Sequence, residues 1–239
     1  MLEVHNLHAY YGKSHILHGV DMTVGQGEIV SLLGRNGAGR STTVRAVMGQ
    51  VAKSGSVRFR GEEISALRTY LIARRGLGYV PESREIFPTL TVRQNLMLGA
   101  KTGARPAAEK TGGRWSMDDL FSLFPVLRER ADAPAGVISG GEQQMLTLCR
   151  TLMGDPELVM IDEPTAGMSR SETADAVELI RTVTRGKTLL MVEHDMGVVF
   201  GLADRISVLV YGKVLASGTP REIRANPAVQ EAYLGTAAG

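Results

Sequence analysis

The chain is poor in cysteine, in aromatic residues and in long apolar runs. Its 239 residues include one cysteine, Cys149, and aromatic residues make up 5%. A single cysteine excludes an intrachain disulfide and a zinc site built from several cysteines, as is usual in a reducing compartment. No run of strongly apolar residues exceeds four, whereas a membrane-spanning helix needs roughly 20 mostly apolar residues. We therefore expect a chain that does not cross a membrane by itself.

Charge of one sign is also scarce, since 27 Lys and Arg residues against 25 Asp and Glu residues leave a net charge of +2. This is too little to indicate binding to nucleic acid. The first residues, MLEVHNLHAYYGK, contain neither a basic leader nor an apolar stretch of signal-peptide length, so we expect a cytoplasmic location. The share of hydrophobic residues, 44%, is typical of a globular protein.

The apolar pattern changes twice along the chain. In the first sixty residues LEVHNLHAYY, HILHGVDMTV and SVRFRG alternate as half-buried strands do, which predicts an antiparallel sheet. Helical spacing follows in TVRQNLMLG and DDLFSLFPVLRER, on either side of an aperiodic connection at residues 101–116. From Leu158 onward, apolar strands alternate with helices, which predicts a parallel sheet covered by helices. Two short final helices are expected to begin at Pro220 and Pro227.

A glycine-rich turn follows the apolar segment EIVSLL. It reads GRNGAGRST from Gly34 to Thr42 and fits the phosphate-binding loop G-x-x-x-x-G-K-[ST] except at Arg40. Glycines let several backbone N–H groups point inward, and the following helix adds its positive end, so a polyphosphate can bind there. Ser41 would offer its hydroxyl to Mg²⁺. Arginine keeps the charge of lysine but is longer and planar, and the alternative is an ordinary turn.

A second motif is LVMIDEP, a buried strand that ends in Asp162 and Glu163. Ligands bind at the carboxyl ends of strands in open α/β sheets. Asp162 suits a magnesium shell, and Glu163 is placed to orient or deprotonate an attacking water. We place this strand beside the strand of the glycine-rich turn. Taken alone, the two acids could equally be a solvent-facing pair.

The third motif is ISGGEQQ. Ser139 with Glu142 three residues later forms a capping box, which is a purely structural explanation. Gly140 and Gly141 are not required by such a box, and inside a helix each costs about 1 kcal/mol relative to alanine. We therefore expect close approach by another backbone or a ligand, and a second anion site at this helix start.

The motifs GRNGAGRST, VISGGEQQ, LVMIDEP and VEHD, in that order, resemble the ATP-binding subunits of ATP-binding cassette (ABC) transporters over almost the whole chain. The segments YYGKSHILHGVDM, YVPESREIFPTLTVRQNL and NPAVQEAYLG are similar to the importers of branched-chain amino acids and related polar solutes such as amides and urea. The resemblance implies an α/β P-loop nucleotide hydrolase core with an N-terminal antiparallel β subdomain and an inserted helical subdomain. It implies one domain over residues 1–239, with the helical subdomain at about 90–154.

The resemblance also implies cofactors and roles for single residues. ATP and Mg²⁺ are the implied cofactors, and Glu163 and His194 are the implied catalytic residues. Nucleotide would be bound by Tyr11, Gly34, Arg35, Asn36, Gly37, Ala38, Gly39, Arg40, Ser41 and Thr42. The metal would be held by Ser41, Glu82 and Asp162, and the ATP of a partner subunit would be contacted by Ser139, Gly140, Gly141 and Glu142.

Several of these positions leave alternatives open. From the residues alone, Tyr11 could equally pack in its strand, and His194 could be an ordinary histidine at a strand end. Glu82 stands where most members of the family have a glutamine, which leaves its contact open. Ser169 stands where they usually have an aspartate, which places the usual cross-subunit contact of that loop in doubt.

The implied partners are integral membrane permease subunits, a second ATP-binding subunit of the same or another kind, and, indirectly, an extracytoplasmic solute-binding protein. The chain would lie peripherally on the inner face of the cell membrane and dock through the segment from Glu82 to Leu98. One rival is a weakly hydrolysing regulatory subunit, because of Arg40. Another is a soluble ABC protein of DNA repair or translation, which usually carries a long coiled coil or two cassettes. SGGEQ argues against a P-loop kinase or GTPase.

The remaining candidates are expected to be structural. Four histidines lie in the predicted antiparallel strands, but no acid or cysteine cluster completes a zinc site there. These are His5, His8, His15 and His18. Cys149 sits between apolar neighbours and is expected to be a buried thiol.

Overall fold

The computed structural model describes residues 1–100, 115–168 and 170–234. The alternating segments at the start of the chain form the predicted antiparallel sheet. Its strands are β1 (Leu2–Tyr11), β2 (Ser14–Val24), β4 (Ala52–Phe59) and β5 (Glu62–Glu63), in the order β2-β1-β4-β5. Leu2, Val4, Leu7 and Ala9 of β1 are fully buried. The alternation read from the sequence therefore marks the face of this sheet that packs on the core.

A second sheet has six strands, in the order β10-β9-β3-β8-β7-β6. Its strands are β3 (Ile29–Gly34), β6 (Leu77–Val80), β7 (Leu158–Asp162), β8 (Thr188–Val192), β9 (Arg205–Val210) and β10 (Lys213–Gly218). All neighbours are parallel except β9 and β10. The predicted parallel sheet is confirmed. The expectation that β7 lies beside β3 is wrong, because β8 pairs with both and separates them.

The helices carry their own start signals. They are α1 (Arg40–Val47), α2 (Thr69–Arg74), α3 (Val92–Gly99), α4 (Met117–Leu123), α5 (Pro125–Glu129), α6 (Gly140–Leu152), α7 (Arg170–Val183), α8 (Met196–Leu202), α9 (Pro220–Ala225) and α10 (Pro227–Leu234), with a short 3₁₀ helix at Ala135–Val137. The predicted helix over DDLFSLFPVLRER is two helices, because Pro125 cannot continue α4 and begins α5. No helix in the described part of the chain is long and apolar enough to cross a membrane.

Three apolar clusters join these layers. The first packs the antiparallel sheet against α1 and the parallel sheet, and the second joins helices α3 to α6 with β6, β7 and β8. Cys149 lies in the second cluster, where burial raises the pKa of its thiol well above the ordinary value. The predicted helical subdomain at about 90–154 contains α3 to α6, and its exact bounds stay a prediction. Most of the predicted connection at 101–116 lies outside the described residues.

Lys53 links β4 to the last turn of α1. Its Nζ donates a hydrogen bond of 2.5 Å to the carbonyl oxygen of Ala46. Burial lowers the pKa of Lys53 to about 8 from an ordinary value of 10.5. The folded chain therefore binds fewer protons at this site than the unfolded chain does between these two pH values.

We expect Lys53→Met to remove a pH dependence of stability. Because the pKa of Lys53 is lower in the folded protein, its contribution to the free energy of unfolding increases from about pH 8 to 10.5. As the pH rises through this range, the denaturant midpoint of the unmodified protein should therefore increase relative to that of Lys53→Met. Lys13→Met, in the exposed turn between β1 and β2, serves as control. A constant difference between pH 7 and 10 would contradict the assignment.

Candidate functional site

The glycine-rich turn connects β3 directly to α1. Gly37 and Gly39 have φ of 82° and 101°, the left-handed region that favours glycine. A β carbon on Gly39 would also lie 2.6 Å from Cδ2 of Leu17. Thr43 Oγ1 donates a hydrogen bond of 2.9 Å to the carbonyl oxygen of Gly39 at the helix start. The antiparallel sheet therefore presses on the loop from one side, and only glycine fits at this point.

An open pocket of about 470 Å³ lies over this turn. It is lined by Ile16, Asn36, Gly37, Gly39, Arg40, Ser41, Thr42, Glu82, Glu163, Ala166 and His194. Most of the predicted nucleotide and catalytic residues thus share one pocket. Arg35 and Ala38 border a second pocket of about 490 Å³, together with Tyr211 and Glu231.

Tyr11 is not among the residues that line the first pocket. It ends β1 with 44% of its surface exposed. Arg45 of α1 interacts with the hydroxyls of Tyr11 and Tyr79, and these contacts raise the pKa of Arg45. The position is compatible with packing between β1 and α1, and the stacking of Tyr11 on adenine stays a prediction.

Asp162 ends β7 with both carboxylate oxygens engaged. Ser41 Oγ donates to Oδ1 over 2.8 Å, and the Tyr79 hydroxyl donates to Oδ2 over 3.2 Å. Burial raises the pKa of Asp162, and these two hydrogen bonds act in the opposite direction. Mg²⁺ prefers oxygen ligands at 2.0–2.1 Å in an octahedron, in which neighbouring oxygens are about 2.9 Å apart. Ser41 Oγ and Asp162 Oδ1 fit this requirement in chemistry and in separation.

Glu163 joins Arg40 to His194. Its Oε1 lies 2.7 Å from Arg40 Nη2, and its Oε2 lies 2.5 Å from His194 Nδ1. The side chains of Arg40 and Glu163 are each only 7% exposed. Burial raises the pKa of Glu163, while the contacts with His194 and Arg40 lower it. The hydrogen bond that His194 donates to Glu163 raises the pKa of His194. Two predicted catalytic residues are thus in direct contact.

Glu193 is a site residue that sequence reasoning missed. It follows β8, is fully buried, and its Oε1 accepts hydrogen bonds from the backbone N–H groups of His194 (2.8 Å) and Asp195 (3.1 Å). Its Oε2 accepts from Thr165 Oγ1 over 2.7 Å. Glu193 therefore fixes the loop that carries His194. The sequence offers only a weak signal, an acid at the end of an apolar strand as at Asp162, because the position of that strand in the sheet is not visible from the sequence.

Glu82 lines the pocket from the loop after β6 and is exposed. Its charge is close enough to Asp162 to raise the pKa of that carboxyl group. A cation between these two acids would remove that repulsion. The assignment of Glu82 to the metal stays a prediction.

The SGGEQ segment begins α6 and does not line the pocket. Ser139 and Glu142 form the expected capping box, with Ser139 N donating to Glu142 Oε2 over 2.6 Å. Within the described chain the close neighbour of Gly140 is a side chain, and the approach of a ligand to the two glycines stays a prediction. A β carbon on Gly140 would lie 2.7 Å from Arg84 Nη1 and 3.0 Å from Arg84 Cζ. In this chain Gly140 leaves room for an arginine side chain.

The loop that carries Glu82 is attached to α6 at further points. Thr147 Oγ1 donates to the carbonyl oxygen of Arg84 over 2.5 Å, and Arg150 Nη2 donates to that of Glu85 over 2.8 Å. Arg150 also lies over the ring of Phe87, 5.4 Å from its centroid. Ser169, which sequence analysis singled out in the loop after Glu163, lies outside the described residues.

A glycine-rich loop between a strand and a helix, and a strand-end acid paired with the serine of that helix, define a P-loop nucleotide hydrolase. The family model described as ABC transporter matches residues 17–166, and that of the branched-chain amino acid ATP-binding cassette transporter matches residues 213–239. The chain belongs to the ABC transporter family and is an ATP-binding cassette ATPase.

Relatives along the full length support this membership. The high-affinity branched-chain amino acid transport ATP-binding protein BraG of Pseudomonas aeruginosa is 40% identical, covering 98% of this chain and 100% of its own. The lipopolysaccharide export system ATP-binding protein LptB of Haemophilus influenzae is 33% identical, covering 98% and 97%. A crystal structure of a nucleotide-free ATP-binding cassette from an ABC transporter superposes with a TM-score of 0.81 at 24% identity, covering 98% and 99%, and shows the same fold.

We expect Glu163→Gln to lower the pKa of His194 toward its ordinary value of 6.5, because the contact with the carboxylate favours the protonated imidazole. An NMR titration of the histidine ring protons measures this, and His194→Gln identifies the signal. An unaltered His194 titration in Glu163→Gln would show that the two groups are not paired in solution.

Proposed function

We propose that this chain is the ATP-hydrolysing subunit of an importer for branched-chain amino acids or related polar solutes. The pocket that unites the phosphate loop with Glu163 and His194 supports hydrolysis, and Asp162 is joined to it through Ser41. The solute class rests on the match of residues 213–239 to the branched-chain amino acid family model, with BraG as a full-length relative. LptB, a relative named for lipopolysaccharide export, is less similar.

In this proposal the loop amides of residues 34–42 and the guanidinium of Arg40 bind the triphosphate. Ser41 and Asp162, together with Glu82, would hold Mg²⁺, which would supply positive charge against the phosphates. Glu163 orients the attacking water and accepts its proton, because it is a carboxylate at the pocket wall with a raised pKa. His194 holds Glu163 in place and faces the position of the γ-phosphate.

The same proposal assigns Ser139, Gly140, Gly141 and Glu142 to the ATP of a second subunit. Their separation from the pocket of their own chain supports this, since none of them lines it. Ser139 caps a helix of 13 residues, whose N-terminus favours an anion. The second subunit is an identical or a related cassette. ATP would close such a pair and hydrolysis would open it.

The permease would dock on the surface around residues 82–98, at the inner face of the membrane. Three exposed apolar side chains support this, namely Phe87, Met97 and Leu98. Exposed apolar groups that cluster in this way mark protein interfaces more often than isolated ones do. An extracytoplasmic protein would deliver the solute to the permease.

We expect Leu98→Glu to abolish co-purification with the permease subunits, because it places a charge in an apolar contact. The measurement is the permease recovered per ATPase subunit after gentle detergent extraction. Leu215→Glu is the matched control, since Leu98 and Leu215 are both exposed leucines (56% and 42%) and Leu215 lies on β10. Equal loss of the permease in both variants would contradict the docking surface. No recovery of the permease with the unmodified protein would contradict the importer assignment. Reconstitution with leucine or lipopolysaccharide as cargo would separate import from export.

Glu163→Gln should lower ATP turnover by about a hundredfold or more, as the loss of a general base does. Glu178→Gln, an exposed acid on α7, is the matched control and should retain turnover. Steady-state phosphate release measures both. Retained turnover in Glu163→Gln would assign the base elsewhere.

Arg40→Lys should raise ATP turnover by about tenfold, which corresponds to about 1.4 kcal/mol of barrier. The reason is that a planar fork fits a tight phosphate site less well than a compact ammonium group. Arg221→Lys, on the exposed face of α9, is the control. Equal rates for Arg40→Lys and the unmodified protein would contradict the expectation.

A further inference from the structure

Of the two terminal nitrogens of the Arg40 guanidinium, one makes polar contacts and the other makes none within the described residues. Its Nη2 lies 2.7 Å from Glu163 Oε1 and donates to Asn36 Oδ1 over 3.2 Å. Its Nη1 is buried and has no hydrogen-bond partner among the described residues. An unpaired buried donor of a charged group costs free energy that a ligand can recover. The free donor belongs to a residue that lines the pocket over the phosphate loop, so an anion bound in that pocket can supply the missing partner.

Arg40 is paired with Glu163, the residue that the proposed reaction needs as its base. Both oxygens of Glu163 carry a strong contact, Oε1 with Arg40 and Oε2 with His194. A guanidinium at 2.7 Å stabilises the carboxylate and makes Oε1 a weaker proton acceptor. The pair is also shielded from water, which strengthens the attraction. In this arrangement both oxygens of Glu163 are occupied, so neither is free to accept a proton from a water.

We propose that the ion pair between Arg40 and Glu163 keeps Glu163 from acting as the base, and that the γ-phosphate of a bound nucleotide breaks this pair. We call this ion pair the latch. The proposal rests on the proposed ATPase function and adds its regulation. The γ-phosphate offers several charged oxygens to the planar fork of arginine, which can bind two of them at once. Arg40 then exchanges Glu163 for phosphate, and its Nη1 gains a partner. Oε1 of Glu163 becomes free, while Oε2 remains on His194.

The latch distinguishes a triphosphate from a diphosphate. ADP lacks the γ-phosphate, so the ion pair between Arg40 and Glu163 persists when ADP is bound. Glu163 then stays occupied in the diphosphate complex. Part of the binding free energy of ATP goes into breaking the pair between Arg40 and Glu163. A lysine at position 40 would be a weaker latch, because a compact ammonium cannot contact the carboxylate and keep a second directed donor in the same plane.

The test is a double-mutant cycle on nucleotide affinity. The four proteins are the unmodified chain, Arg40→Lys, Glu163→Gln and the double variant, each kept dilute enough to be monomeric by analytical ultracentrifugation. Binding of Mg-AMP-PNP, a non-hydrolysable triphosphate, and of Mg-ADP is measured by calorimetry. We expect Glu163→Gln to tighten AMP-PNP binding about tenfold more in the unmodified chain than in the Arg40→Lys background, a coupling typical of residues in contact. For ADP the two ratios should agree within about twofold.

The outcomes separate the latch from the proposed function. Equal effects of Glu163→Gln in both backgrounds, or the same coupling for ADP as for AMP-PNP, would overturn the latch while leaving the ATPase assignment intact. Absence of nucleotide binding in all four proteins would overturn the proposed function itself. Arg221→Lys combined with Glu163→Gln is the matched control, and it should reproduce Glu163→Gln alone. Circular dichroism confirms that each variant is folded.

Discussion

A buried carboxylate must have a partner, and this requirement organises the centre of the molecule. Asp162 and Glu193 are fully buried and Glu163 nearly so, at the ends of two adjacent parallel strands. Each has found its partner in a different segment: Asp162 in Ser41 and Tyr79, Glu163 in Arg40 and His194, and Glu193 in Thr165 and two backbone amides. The phosphate loop, the strand ends and the histidine loop are therefore held together by hydrogen bonds and ion pairs to these three carboxylates.

How much of this the sequence predicts depends on the range of the interaction. Local patterns predict the strands, the capping boxes and the residues of the phosphate loop, because these depend on neighbours along the chain. The order of strands does not follow from such patterns, so β8 was not placed between β3 and β7. Glu193 was missed for the same reason. Unless β8 is known to lie in the centre of the sheet, an acid at its end cannot be assigned to the site in preference to other acids.

Contacts between distant segments also determine the neighbours of residues that the sequence analysis singled out. The neighbour of Gly140 within the described chain is Arg84, which is far away in sequence. The sequence shows that position 40 departs from the usual lysine, but not that its guanidinium reaches Glu163 on another strand. The identity of a residue is local information. Its partner depends on the topology of the whole sheet.

The attachment of the Glu82 loop to α6 has a mechanical consequence. Two backbone carbonyl groups of this loop accept hydrogen bonds from Thr147 and Arg150, which lie on successive turns of one face of α6. These two hydrogen bonds couple the loop to the helix. A displacement applied at Phe87 would act on α6 at Thr147 and Arg150, about 12 and 17 Å from Ser139 along the helix at 1.5 Å per residue. One helix thus connects the loop that reaches the pocket with the SGGEQ segment outside it.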